Sequence, residues 1–150
     1  MLSYLKLLNY QGPIFLNDLY EPEENKLRVL IDKATTNKIF EKKKSNYDVI
    51  EEIPIVIDTN TPILQIDFPT YISYSVHYEG YMAANRNESY HGYTFRIYTK
   101  SKFLDYVYSR LFANSIFFDE KYIHYQIRCT NHVVDVVTFS EPIVSEIKRR

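Results

Sequence analysis

The chain has no tryptophan, only three glycines and one cysteine among its 150 residues. A lone cysteine, Cys129, excludes an intramolecular disulfide and any multi-cysteine metal site. So few glycines can hardly furnish a phosphate loop, a dinucleotide-binding turn or a nucleophile elbow, and none of these motifs is present. No window approaches the roughly 18 consecutive apolar residues that a membrane-spanning helix needs. A net charge of −1 supplies no long-range field to gather nucleic acid or an anionic membrane surface. The opening MLSYLKLLNY is interrupted by Lys6 and has neither a basic leader nor a small-residue cleavage site, so the expected compartment is the cytoplasm.

What the chain has in excess is aromatic rings: 15 Tyr and 9 Phe. Such a composition suits pleated surfaces, and tyrosine adds amphipathic contact area. Apolar content of 45% and charged content of 25% are ordinary globular values, and the length fits one domain over residues 1–150.

Hydrophobic periodicity orders the chain. Strands are expected at Ile14–Tyr20, Lys26–Ala34, Ile63–Phe68, Tyr71–Glu79, Thr94–Thr99 and Tyr122–Cys129, with a last strand through His132–Phe139. Ile53–Ile57 contains Pro54, which suggests an edge position or a strand start. The polar stretch Thr35–Asn46, with its Lys42–Lys44 run, is the best candidate for a mobile connection. Between Thr99 and Tyr122 the period lengthens to 3.6. Ser101 is a natural N-cap, and Phe103, Leu104, Val107, Tyr108, Leu111 and Phe112 form an apolar stripe, which predicts an amphipathic helix over about 101–113, closed near Asn114. Ser140–Pro142 begins a short C-terminal helix or turn. The sum is an α+β fold: a predominantly antiparallel sheet, sandwich or partly open barrel, with one main helix packed on it.

Chemistry concentrates in Gly92–Phe139. Tyr122, His124, Gln126 and Arg128 share one strand face, and Arg96 and Tyr98 share another. Such rows either hold a phosphate, a carboxylate or an acidic surface, or form the wet side of a one-sided sheet. Asp135 lies inside an apolar run and needs a partner, with Arg96 or Arg128 the expected cation, so Arg96, Arg128 and Asp135 form an expected structural network. His132 and Asp135, three apart on a strand, point to opposite faces. His77, His91, His124 and His132 form no metal-ligand spacing, so neither a metal nor a cofactor is expected. The stretch between Gly80 and Gly92, YMAANRNESYH, is too long for a tight turn. It carries Tyr81, Arg86, Tyr90 and His91, side-chain types that anchor interfaces.

The run FRIYTKSKFLDYV (95–107), followed by HYQIRCTNHVVDVV (124–137), resembles a family of small uncharacterised bacterial cytosolic proteins, over roughly residues 62–142. The resemblance brings no activity with it. Three functions remain in view. The leading one is a non-enzymatic binding module, an immunity-type or regulatory protein that holds another protein through Tyr81, Arg86, Tyr90, His91 and the tyrosine-rich strand faces. The second is a domain for a small anionic ligand or nucleotide, using Arg96, His124 and Arg128. The third is a histidine-dependent hydrolase or nuclease that needs His124 and His132. No nucleic-acid or membrane partner is expected.

Overall fold

The computed structural model describes residues 2–36, 54–78, 87–111 and 121–149. These form two short helices, α1 (Tyr4–Leu7) and α2 (Lys102–Ser109), and ten strands. The strands are β1 (Ile14–Tyr20), β2 (Leu27–Thr36), β3 (Ile55–Ile57), β4 (Ile63–Phe68), β5 (Ser73–Tyr78), β6 (Ser89–Gly92), β7 (Phe95–Lys100), β8 (Ile123–Arg128), β9 (His132–Thr138) and β10 (Ile143–Ile147). They make two five-stranded antiparallel sheets. The first runs β1-β2-β4-β10 with β3 paired to the end of β2; the second runs β5-β9-β8-β7-β6.

The sheets face each other because each contributes an apolar row. Leu27, Val29 and Ile31 of β2 alternate with partly exposed Arg28 and Leu30, and Leu64, Ile66 and Phe68 of β4 do the same. Opposite them lie Phe95, Tyr125, Ile127, Val134 and Val136 of the second sheet, in the same buried cluster. The α+β sandwich expected from periodicity is therefore the fold. A Leu or Ile buried in such a core contributes about 1.5–3 kcal/mol each.

Local chemistry sets the connections. Asn25 turns β1 into β2 with a φ of 64°, a left-handed conformation that asparagine tolerates better than most residues. Gly92 has a φ of 99°, and a Cβ there would stand 2.1 Å from the Phe95 carbonyl oxygen, so only glycine fits the β6–β7 turn. At the β8–β9 turn, the Asn131 side chain donates to the Leu16 carbonyl (3.3 Å) and accepts from the Leu16 amide (2.9 Å). That bond pair occupies the outer edge of β1, beside its bulge between Leu16 and Asp18, and it ties the two sheets together.

One end of the sandwich is closed by α1, which periodicity did not announce. Ser3 caps it, and the buried Tyr4 donates to the carbonyls of Gln126 (3.0 Å) and Arg96 (3.2 Å). Helix α2 packs on the outer face of the second sheet instead. Its Leu104 and Val107 bury against Tyr122 and Val137. Ser101 caps α2 as expected, its hydroxyl accepting from the Leu104 amide at 3.0 Å. The helix ends at Ser109, earlier than position 113, and Phe112 and Asn114 lie outside the described residues. Two segments differ from expectation. Residues 89–92 of the presumed loop pair with β7 as a strand, and the turn at Ser140–Pro142 leads into strand β10, not a helix. The strand forms because β4 offers a free edge, on which Val144 buries completely. The Lys42–Lys44 run lies outside the described residues; β3 sits at a sheet margin, as Pro54 suggested.

Candidate functional site: a buried polar network that surfaces at a tyrosine–arginine patch

Registers place the outer-face residues of the second sheet in rows. Tyr90 pairs with Tyr98, Tyr98 with His124, and His124 with Val137. In the next row Arg96 pairs with Gln126, Gln126 with Asp135, and Asp135 with Ser75. Both readings of the β8 row, a ligand face or the wet side of the sheet, leave it open to solvent. It is buried: Gln126 is 1% exposed, His124 2% and Asp135 3%.

Asp135 is the hub. One carboxylate oxygen, Oδ1, meets His124 Nε2 at 2.6 Å and Gln126 Nε2 at 2.9 Å, while Oδ2 meets His77 Nε2 at 2.7 Å. Burial alone would raise its pKa, but the hydrogen bonds from His124, Gln126 and His77 outweigh burial and hold the carboxyl below its ordinary value. The expected arginine partner is thus replaced by two histidines and an amide. The reason is register: Gln126 sits directly opposite Asp135, and His124 is the next outer-face residue along β8. Arg96 reaches the hub through Tyr98 and Gln126, and among the described residues Asp135 is hydrogen-bonded by His124, Gln126 and His77 instead of Arg128.

Beyond His124 the chain continues to Ser101, whose hydroxyl lies 2.7 Å from His124 Nδ1. An imidazole protonated at Nε2 satisfies every group: Nε2–H donates to Asp135, Nδ1 accepts the Ser101 hydroxyl proton, and the Ser101 oxygen accepts the Leu104 amide. Tyr98 stacks on the imidazole at 4.7 Å and Phe103 meets it edge-on at 5.2 Å. Serine, histidine and aspartate in contact have the membership of a nucleophile triad. The roles differ here, because Ser101 is 1% exposed and its oxygen caps a helix, so no substrate carbonyl reaches it. Cys129 is equally withdrawn, burial pushing its thiol up to about 12.

On the other side of the hub the network climbs to the surface. Gln126 Oε1 accepts from Tyr98 OH (3.0 Å), which accepts from Arg96 (3.3 Å). The Arg96 guanidinium also donates to the Tyr93 carbonyl (2.8 Å) and lies 4.0 Å above the Tyr90 ring. Tyr90 is 46% exposed and Tyr93 54%.

Among the expected site residues, the structure therefore joins Tyr90, Arg96, Tyr98, His124 and Asp135. Arg128 shares their face, partly exposed, whereas His91 pairs with Ile97 and points to the other face. Tyr81 and Arg86 lie outside the described residues. His132 and Asp135 occupy opposite faces, as their spacing required; it is His77 that meets His124 across Asp135. Sequence reasoning missed Ser101 and His77 as members. A signal existed: HVVDVVT is apolar on both faces, so its strand is covered on both sides and so is the polar row beside it.

Among the described residues no group of three or more His, Cys, Asp or Glu is arranged to hold a metal ion, and no helix is long and apolar enough to cross a membrane. Comparison with protein families, curated proteins and solved structures finds no match to the chain.

Proposed function

We propose that the protein is a non-enzymatic binding module, of immunity or regulatory type, that holds another protein through the Tyr90–Tyr93–Arg96 patch. The carrying observation is that the exposed Tyr90 ring is clamped by an arginine whose own position is fixed from below by Tyr98 and the buried network. Tyrosine and arginine dominate interface energetics when they are held rigid before binding. Arg96 has five N–H donors, of which Tyr93 and Tyr98 take two among the described residues, which leaves donors for acceptors on a partner.

The enzymatic alternative fits the geometry less well, because its candidate nucleophile and base are sealed. An anion site using His124 is disfavoured for a related reason, since both ring nitrogens are already bonded.

Affinity capture from the native cell, with wild-type protein and a Tyr90→Ala/Tyr93→Ala variant side by side, tests the reading. A partner retained by the wild type should be lost by the variant, while the melting temperatures stay close. Equal retention by both would refute the patch as the interface.

A further inference from the structure

A concavity lies on the other face of β7 and β8, at the mouth of the sandwich between these strands, α1 and the start of β10. It measures about 550 Å³, within the range of small-molecule sites. Its walls include Leu2, Leu5, Ile97, Ile123 and Ile143, of which Leu5 (62% exposed) and Ile143 (47% exposed) stand at the rim. Apolar side chains this open, gathered round one cavity, are what a ligand would cover.

The polar groups in the wall define the ligand's chemistry. Tyr4 spends its hydroxyl on two backbone carbonyls and Ser3 spends its oxygen on the Leu5 amide. That leaves the Tyr125 hydroxyl and the Glu141 carboxylate. Among the described residues Glu141 has no ion-pair partner, and no lysine, arginine or histidine lines the cavity. Burial, and then the negative charge of Glu141, push the Tyr125 phenol up to about 12, so it stays protonated and free to hydrogen-bond.

We infer that this cavity is a binding site for a small organic amine, an apolar or aromatic body seated on Ile97, Ile123 and the Tyr125 ring, with its ammonium group at Glu141. Carboxylates and phosphates are disfavoured, because among the described residues the one charge at the mouth repels them and no cation lines the cavity to answer them. The site is independent of the protein-binding reading, which uses the opposite face of the same strands.

The probes are tryptamine and indole-propionate, which share an indole body and differ in the sign of the terminal charge. Titrations of the full chain followed by amide NMR should give saturable binding of tryptamine, with indole-propionate about fivefold weaker or worse. Glu141→Gln should weaken tryptamine about threefold, the size of a solvent-exposed ion pair, and narrow the gap between the probes. Ile143→Trp, at a half-exposed position, should fill the cavity and abolish binding while the melting temperature holds. No saturable binding of tryptamine, equal binding of the two probes, or binding that survives Ile143→Trp would each overturn the proposal.

Discussion

The outer faces of the two sheets carry similar alternation in sequence and meet opposite fates. On the first sheet Arg28 grips Asp67 through two nitrogens, at 2.8 and 3.1 Å, and Gln65 adds a bond at 3.0 Å. Water still reaches this cluster: the Arg28 and Asp67 side chains are 29% and 27% exposed. On the second sheet helix α2 and its entry, through Phe103 and Ser101, close over His124, and the polar row there is sealed. A charge pair near water contributes about 0–1 kcal/mol, because each partner alone can be solvated. A buried carboxylate cannot fall back on water, so its donors become structural necessities. The same residue types are thus surface decoration on one sheet and a fold-defining hub on the other.

The largest effect should come from deleting the hub. Asp135→Ala leaves buried donors of His124 and Gln126 unanswered and should cost about 3–5 kcal/mol in urea unfolding, if the variant folds at all. Acid provides a gentler route to the same group. The folded-state pKa of Asp135 lies below its unfolded value, so its contribution is full above the ordinary carboxylate range and is lost as pH falls through that range and below. Stability measured against pH should therefore decline on acidification below about pH 4, and a folded Asp135→Asn variant should show a shallower decline.

Next in size is Ser101→Ala, which removes both a helix cap and the acceptor–donor link to His124. A loss of about 1–2 kcal/mol is expected, together with faster amide exchange at Leu104. Smallest is the solvated pair. A double-mutant cycle on Arg28→Ala and Asp67→Ala should return a coupling of no more than about 1 kcal/mol. A coupling there as large as the loss at Asp135 would erase the contrast between the two faces.

Much of this was legible in the sequence, and the misses have a common cause. Alternation in Leu27–Ile31 and Ile63–Phe68 located the core strands, and Ser101 with the stripe after it located α2. Alternation in a single strand cannot say whether its polar face meets water, because that depends on what packs above it. Either reading of the β8 row, ligand face or wet face, leaves it open, although β9, valine-rich on both faces, requires a cover. Asp32 shows the same effect: it follows the outer face of β2, shared with Arg28, yet Arg149 and Asn17 bury it to 2% exposure. That ion pair joins residues 117 apart in sequence, a distance no local pattern spans. Strand β10 went unread because its turn residues, Ser140–Pro142, suit a helix start as well, and only the open edge of β4 decides between them.

The His124–Asp135 contact is sealed from water, and the hydrogen bonds around the imidazole place its proton on Nε2. Imidazole nitrogen–proton NMR tests it directly, with exposed His91 as the internal control. A His124 Nε2–H resonance should persist in water and exchange far more slowly than the proton of His91. A His124 proton that exchanges as fast as that of His91 would contradict it.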